Sequence, residues 1–306
     1  MNSSGPTTCH ACGSTRPLIE RIPSVRDPQS TEHFAIRACP DCGVGITSPV
    51  PEDLGKYYGP LYYGGRHSFT ADYCTARRVR LLTQHAPRPG NLLDIGCGDG
   101  SFLLGARKAG WVVSGTEIGG AAELSKATGL TVHDSLESVD NGRFDVVTMW
   151  HTLEHFRDPF ATVDSARKKL APGGLFIVAV PDANGLQAAL FGKSWFHFDV
   201  PRHLFHFDRS SLSTMMKRAS FSVSEWHHME IELDIFGWMQ SALNRVMPEP
   251  NVLFQSLTGK PRMASRGQLA ASYVLGTALG PAAVAATALG GAMGRSATLI
   301  AIARPV

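Results

Sequence analysis

A glycine-rich turn between an apolar strand and a helix constrains the fold of this chain more than any other feature. The stretch reads Leu-Leu-Asp-Ile-Gly-Cys-Gly-Asp-Gly-Ser-Phe from residue 92 to residue 102. Its glycines let the backbone turn sharply and let a ligand approach where a side chain would block it. The helix that follows offers unpaired N–H groups and a positive dipole end, which suit a bound carboxylate. The pattern predicts a ligand site at the carboxyl edge of a parallel sheet.

The residues around the turn distinguish between two kinds of cofactor. A nicotinamide dinucleotide site has the spacing Gly-x-Gly-x-x-Gly, whereas the third glycine here comes one residue early, at Gly100. Asp94 precedes the first glycine, where a carboxylate would oppose a pyrophosphate but would pair with an ammonium group. The next predicted strand ends at Glu117, which suits the ribose hydroxyls of either cofactor. The turn therefore favours a cofactor that carries an ammonium group.

The rest of the chain alternates strands with helices. Strands are predicted at 91–95, 112–116, 131–133, 144–149 and 175–180, and two more at 222–227 and 297–303. The chain is 43% apolar and 18% charged, which is typical of a soluble globular protein. The pattern predicts an α/β fold with a Rossmann-like, doubly wound sheet.

The stretch from residue 91 to about residue 180 resembles the core of the class I S-adenosylmethionine-dependent methyltransferases. The resemblance lies in the turn at 94–100, the acid at 117, the strand that begins Phe-Asp-Val-Val at 144, and the turn Pro-Gly-Gly at 172–174. It implies that S-adenosylmethionine is the cofactor. It also implies the following cofactor-binding residues, with the last three beside the adenine or the methionine: Asp94, Gly96, Cys97, Gly98, Gly100, Glu117, Asp134, Ser135 and His151.

Histidines crowd two aromatic segments that follow the fourth and fifth strands. Five of the 12 histidines lie between residues 151 and 206. A hydroxyl, amine or acidic carbon must lose a proton when it is methylated, and histidine can accept one near neutral pH. We predict His155 or His203 as the catalytic base and His206 as the next candidate. Packing or helix capping is the alternative for each of them.

The first of these segments also fits the His-x-x-Glu-His pattern of a zinc protease, from His151 to His155. The segment follows an apolar strand directly, and a cofactor-type glycine turn lies upstream. Both observations disfavour the protease interpretation.

Two Cys-x-x-Cys-Gly units near the start predict a structural zinc site. The four cysteines are Cys9, Cys12, Cys39 and Cys42. Four thiolates form a closed tetrahedral site, so the ion would stabilise the fold rather than take part in catalysis; a redox dithiol is the alternative. Four arginines and four acids lie between the first and last of these cysteines. This neutral module and a net charge of only +3 make nucleic acid an unlikely partner.

These motifs predict five segments. We expect a zinc ribbon over 1–48, a tyrosine-rich connector with a leading helix over 49–90, the methyltransferase core over 91–229, a helical insertion over 230–294 and the last core strand over 295–306. Zinc-ribbon methyltransferases that act on nucleotide-linked sugars are similar in arrangement, and in them a tyrosine-rich connector reaches the active site. This implies four candidate pocket residues, with packing as the alternative: Tyr57, Tyr58, Tyr62 and Tyr63.

The insertion contains no charged residue from 267 to 293. A single membrane crossing would separate the last strand from its own sheet, and Gly280-Pro281 divides the run into two short halves. We therefore predict a helical hairpin, which acts as a lid or a dimer contact or dips into a membrane surface. Peripheral membrane contact would favour a lipid-linked acceptor.

The function predicted from these features is methyl transfer from S-adenosylmethionine to a small-molecule or sugar-type acceptor, since the histidine segments resemble those of methyltransferases from sugar and cell-surface biosynthesis. The alternatives are a zinc-ribbon ribosomal RNA methyltransferase, a non-catalytic cofactor-binding or partner-binding protein, and a nicotinamide oxidoreductase. The first eight residues show no leader pattern, so a cytoplasmic location is expected, at the inner membrane surface if the insertion binds lipid. A homo-oligomer remains an open alternative.

Overall fold

The computed structural model describes residues 8–58, 69–228, 230–259 and 263–306. Tyr62 and Tyr63 lie outside the described residues. The strands in chain order are β1 (Ile19–Arg26), β2 (His33–Ala38), β3 (Gly45–Ser48), β4 (Asn91–Ile95), β5 (Val112–Thr116), β6 (Thr131–His133), β7 (Phe144–Trp150), β8 (Leu170–Pro181), β9 (Phe205–His206), β10 (Phe221–His228) and β11 (Thr298–Pro305). The α-helices are α1 (Phe69–His85), α2 (Ser101–Lys108), α3 (Gly119–Ala127), α4 (Pro159–Lys169), α5 (Leu186–Phe191), α6 (Arg209–Arg218), α7 (Ile231–Val246), α8 (Val252–Leu257) and α9 (Arg266–Ala292).

The larger sheet has seven strands in the order β10-β11-β8-β7-β4-β5-β6. The strands from β8 to β6 are parallel to one another, and β11 is antiparallel to both of its neighbours. Residues 175–181 of β8 are all buried, as expected for a central strand covered on both faces. The predicted doubly wound α/β fold is confirmed, and the bounds predicted for β4, β5 and β6 agree with the structure.

The smaller sheet has the order β1-β2-β3-β9, and its fourth strand comes from the middle of the chain. β9 is antiparallel to β3, with Ile46 opposite Phe205. One continuous buried cluster also contains Val44 of the N-terminal region and Leu93 of the large sheet. Residues 9–48 therefore share both a sheet and a hydrophobic core with the rest of the described chain.

The insertion before the last strand is helical, as predicted, but its apolar run is not a hairpin. α9 continues unbroken through Pro281. Proline removes one helical hydrogen bond and disfavours helical backbone at the residue before it. That residue is Gly280, which has no Cβ to clash with the proline ring, so the chain can continue as a helix.

α9 is long and apolar enough to cross a membrane if only length and composition are considered, and 17% of its most apolar window is buried. The strands at either end of the insertion pair with each other, since His228 of β10 lies opposite Leu299 of β11. A single crossing would place these paired strands on opposite sides of a membrane. The insertion therefore leaves the sheet and returns to it on one side.

Candidate active site

The glycine turn after β4 is packed on one side and open on the other. Gly96, Gly98 and Gly100 have φ values of +73°, +57° and +79°, which glycine adopts without strain. A Cβ on Gly96 would lie 2.2 Å from Cγ2 of Thr152, whereas one on Gly98 would meet nothing within 4 Å. The open side at Gly98 leaves room for a ligand against the backbone.

Two carboxylates flank this turn in different ways. Asp94 is buried and accepts a hydrogen bond of 2.7 Å from Oγ1 of Thr148. Burial raises the pKa of Asp94 to about 7 because it disfavours the charged form. Glu117 accepts hydrogen bonds from the N–H groups of Gly98 and Ile118, both at 2.8 Å. The predicted ammonium and ribose partners therefore lie on either side of the turn.

The side chain of Cys97 points into the protein. It is 7% exposed, and a Cβ on Gly115 of β5 would lie 2.6 Å from its Sγ. Its thiol fills the space that Gly115 leaves, and the cofactor-binding role of Cys97 stays a prediction.

Asp134 and Ser135 follow β6 at the same edge of the sheet. His133 lies opposite Thr116, so Asp134 is level with Glu117 one strand further out. The Asp134 carboxylate is largely exposed and accepts a 2.8 Å hydrogen bond from Lys126, while the Ser135 carbonyl accepts one from a nearby serine. Their place beside the adenine stays a prediction.

His151 follows β7 with a φ of +52° and is held by buried charges. Its Nε2 lies 2.7 Å from Oε2 of Glu230, which also accepts hydrogen bonds from Arg77 and Arg78 on α1. Burial alone would lower the pKa of His151, but Glu154 and Glu230 raise it to about 9. We therefore expect His151 to be charged at neutral pH.

Sequence reasoning missed this cluster. Glu230 lies within the segment that was assigned to the insertion, and Arg77 and Arg78 lie on a helix to which no role was given. Residues 77, 78 and 230 are too far apart in the sequence to form a motif. Two adjacent arginines on α1 are the local feature that could have indicated a buried acidic partner.

The structure brings His155 and His203 together, with ring centroids 4.6 Å apart. Nδ1 of His203 lies 2.8 Å from the carbonyl of His197, and Nδ1 of His155 lies 3.1 Å from the carbonyl of Arg202. The hydroxyl of Tyr58 is 2.9 Å from the same nitrogen of His155. Burial and the neighbouring His203 lower the pKa of His155 to about 4. The connector thus reaches the histidine pair through Tyr58.

Tyr57, a predicted pocket residue, and His206, the third candidate for the catalytic base, lie elsewhere. The ring of Tyr57 is buried and its hydroxyl donates to Glu32. His206 lies in β9, buried, with Nε2 2.9 Å from Oγ1 of Thr47. Burial lowers the pKa of His206 to about 3. Neither residue joins the histidine pair.

The four N-terminal cysteines converge as predicted. The Sγ atoms of Cys9 and Cys42 are 3.8 Å apart, those of Cys12 and Cys39 are 3.6 Å apart, and all four lie within 4.8 Å of one another. None forms a disulfide. A glycine with positive φ follows each pair and donates to the carbonyl of the first cysteine in its pair. Four thiolates at these separations fit a tetrahedral zinc ion.

The seven-stranded sheet and the glycine turn at its carboxyl edge define the class I S-adenosylmethionine-dependent methyltransferase fold. A family model described as a methyltransferase domain matches residues 66–225, more than half of the chain. The chain belongs to this family. Within the described residues the match covers α1, the parallel strands, β9 and most of β10.

Curated relatives and solved structures agree with this assignment. A ubiquinone biosynthesis O-methyltransferase from Psychrobacter cryohalolentis is 34% identical over 108 residues, which is 30% of this chain and 41% of that protein. One from Thiobacillus denitrificans is 28% identical over 168 residues, 48% of this chain and 72% of that protein. The chain therefore spans about two fifths of the first relative's length.

Among solved structures, a phosphoethanolamine N-methyltransferase from Haemonchus contortus, in complex with S-adenosylhomocysteine, is similar with a TM-score of 0.51. The identity is 13%, and the similarity covers 78% of this chain and 57% of that chain. At this identity the likeness concerns the fold alone.

Proposed function

We propose that the protein transfers the methyl group of S-adenosylmethionine to a hydroxyl of a small-molecule acceptor. One observation carries the proposal: the open glycine turn between Asp94 and Glu117 lies at the same sheet edge as the edge-to-face imidazoles of His155 and His203. A cofactor cradle beside groups able to handle a proton is what methyl transfer to a hydroxyl requires.

The cofactor, when bound, supplies a methyl group on a positively charged sulfur. The Asp94 carboxylate pairs with its ammonium group, and the Glu117 carboxylate accepts from the ribose hydroxyls. The bare backbone of Gly98 admits the ligand, and His151 lies toward the methionine end. Asp134 and Ser135 border the adenine.

The acceptor is held against the histidine pair, and His155 or His203 receives its proton. The hydrogen bonds of both Nδ1 atoms to carbonyl groups fix the orientation of the rings. Holding the acceptor against these fixed rings makes positioning the main contribution to the rate. Tyr58 covers His155 from the connector side.

The named relatives favour oxygen as the methylated atom, because both are O-methyltransferases of ubiquinone biosynthesis. A hydroxylated aromatic ring is therefore one acceptor class, and a sugar hydroxyl is the class that the histidine segments predicted. Both carry a hydroxyl whose proton must leave during the reaction.

Zinc in the four-cysteine cluster is proposed to have a structural role. The thiolates leave no open position for a substrate, and the cluster packs into the shared hydrophobic core. We assign residues 1–48 to a zinc ribbon that supports the catalytic core.

We also propose that α9 contacts a membrane surface, which would place the protein at the inner face of the membrane. The exposed side chains of α9 include Val274, Val284 and Leu289, each more than half exposed. An uncharged helix with such a face suits the boundary between headgroups and acyl chains. A lipid-linked acceptor would then reach the active site from that surface.

The cofactor proposal is tested by calorimetry with S-adenosylmethionine and NAD. We expect binding of the first and none of the second. Gly98→Val should abolish binding, since its side chain fills the open side of the turn, while the zinc content stays unchanged. Binding of NAD alone would overturn the proposal.

The catalytic proposal is tested by turnover of His155→Ala and His203→Ala on a panel of hydroxylated aromatic and sugar acceptors. Both variants should bind the cofactor as the wild type does and lose turnover. His33→Ala is the control, because that ring faces the N-terminal strands. Full rates in both active-site variants would refute the assignment.

The membrane proposal is tested by flotation with anionic liposomes. The double variant Val274→Asp and Val284→Asp should lose binding, because charge on the apolar face opposes insertion. Ile19→Asp, at an equally exposed position in β1, should bind as the wild type does. Equal flotation of all three proteins would end the proposal.

A further inference from the structure

The Glu154 carboxylate is buried without a hydrogen-bond partner. The residue is 0% exposed, and neither oxygen accepts a hydrogen bond from the described residues. A buried carboxylate is strongly destabilising unless it is paired or coordinates a cation. Its surroundings should therefore contain what compensates its charge.

Two imidazole nitrogens lie near this carboxylate, both beyond hydrogen-bond distance, and the nearer ring, the charged His151, also pairs with Glu230. Oε1 of Glu154 lies 3.9 Å from Nε2 of His203 and 3.7 Å from Nδ1 of His151. Ligand atoms of Glu154, His155 and His203 all lie within 4.8 Å of one another. A charged imidazole bound directly to the carboxylate would lie about 2.7–2.9 Å away. Two ligands of one tetrahedral ion lie about 3.3–3.6 Å apart when each bond is about 2.0–2.2 Å, so these side chains would draw closer together around a bound ion.

The outer nitrogens of both histidines are already engaged. Nδ1 of His203 donates to the carbonyl of His197, and Nδ1 of His155 donates to the carbonyl of Arg202. This leaves the lone pair of each ring on Nε2. Metal-binding histidines are typically held in this way by a carbonyl or carboxylate behind the ring.

We propose that Glu154, His155 and His203 bind one divalent transition-metal ion. Two imidazoles and one carboxylate suit ions such as zinc, cobalt and iron(II), and they leave coordination positions open for another ligand. The site is separate from the four-cysteine cluster in its residues and in its donor atoms. It lies where the proposed function requires the acceptor to bind.

The consequence for catalysis rests on the proposed methyl transfer, whereas ion binding does not. The acceptor hydroxyl binds the ion through its oxygen, and its lowered pKa lets the proton leave to solvent. An oxygen lone pair then forms the new C–O bond while the C–S pair returns to sulfur. The two histidines then serve as ligands, and the cation takes over the activation of the acceptor.

Cobalt(II) titration of the full-length protein that carries one zinc ion per chain, in the cysteine cluster, tests the site, with neither cofactor nor acceptor present. We expect one cobalt ion per chain with visible d–d bands and no thiolate-to-cobalt charge-transfer band. Cobalt that entered the cysteine cluster would show that band. Glu154→Gln and His203→Asn should each weaken binding by about a hundredfold or more, since loss of an outer partner alone costs about 10–100-fold.

His227→Asn is the matched control, because His85, Glu225 and His227 form another histidine–carboxylate group at the surface. This variant should keep the signal. Circular dichroism and calorimetry with S-adenosylmethionine establish that each variant is folded. Absence of the signal in the wild type, or its loss in the control alone, overturns the inference. Failure to bind the cofactor would overturn the proposed function and leave the cobalt result intact.

Discussion

Individual side chains around the glycine turn have different electrostatic tasks. Asp94 has an almost inaccessible carboxylate, and burial holds its pKa at about 7. The Glu117 carboxylate accepts hydrogen bonds from the backbone N–H groups of Gly98 and Ile118. The charge of Asp94 therefore changes near neutral pH, and a bound cationic ligand would favour its ionised form.

We predict that the affinity for S-adenosylmethionine rises about tenfold from pH 6 to pH 8. The ligand's ammonium group prefers ionised Asp94, which is mostly protonated below its pKa of about 7 and mostly charged above it. Calorimetry at pH 6, 7 and 8 measures the change. Asp94→Asn should bind more weakly and without this dependence. A flat profile in the wild type would remove Asp94 from the ammonium site.

A second prediction concerns Arg202, which is completely buried between two acids. It donates to Asp27 at 2.9 Å and to Asp199 at 2.7 Å. Arg202→Ala leaves the equally buried Asp27 without its cation, so we expect a loss of about 3–5 kcal/mol in the free energy of unfolding.

Urea denaturation measures that loss against a matched control. Arg143→Ala removes an exposed arginine paired with Asp140 and should cost less than about 1 kcal/mol. Equal stability of the two variants would contradict the role given to Arg202.

Among individual residues, those that lie together in one short motif could be predicted from the sequence. The glycine turn and the cysteine pairs each lie in a short stretch, so spacing alone identifies them. Glu230 contacts Arg78 across 152 residues, and His155 contacts His203 across two helices and a strand. Such partners are set by tertiary packing, which leaves no local pattern to find.

Among the elements, α9 shows how small residues allow close helix packing. Its buried positions are Ser272, Gly276, Ala283, Thr287 and Gly290, which share one face toward α7 and α8. Its remaining faces are apolar and open. The predicted hairpin was wrong: Gly280 and Pro281 lie inside one continuous helix, which glycine permits because it has no Cβ to clash with the proline ring.

Two glycines of α9 should respond oppositely to alanine. At Gly267 an added Cβ would have only Oγ of Ser265 within 4 Å, at 3.9 Å, so Gly267→Ala should stabilise the protein by about 0.5 kcal/mol through higher helix propensity. At Gly276 the Cβ would lie 2.8 Å from Cδ2 of Leu253, so Gly276→Ala should destabilise it. Thermal and urea unfolding measure the change in stability of each variant. The same sign at both positions would contradict the packing described for α9.

On the scale of the whole molecule, the N-terminal sheet supports the backbone that carries the histidine pair of the candidate site. Thr47 of β3 donates to the carbonyl of His203, and its N–H donates to the carbonyl of Leu204. The N–H of Leu204 donates to the carbonyl of Glu154. The parallel arrangement of the central strands followed from the alternating pattern of the sequence, whereas β9, with two residues, was too short to carry any pattern.

Loss of zinc should therefore affect the whole molecule. Cys39→Ser is expected to lower the zinc content and to reduce the melting temperature by about 10 °C, because metal binding contributes to the folding free energy. Methyl transfer should fall with it. Cys74→Ser, on α1 and outside the cluster, is the control. A zinc-free Cys39→Ser protein that melts like the wild type would refute the structural role.

The two-residue strand β9 also limits how such a chain can change over time. A ribbon that closes its sheet with a strand from the catalytic region cannot be gained or lost by simple fusion or truncation. A fragment that begins after residue 48 would leave the edge of β9 bare, with the support of His203 removed. Homologues without a ribbon should therefore differ in the 203–206 stretch as well, so that the two regions are inherited together.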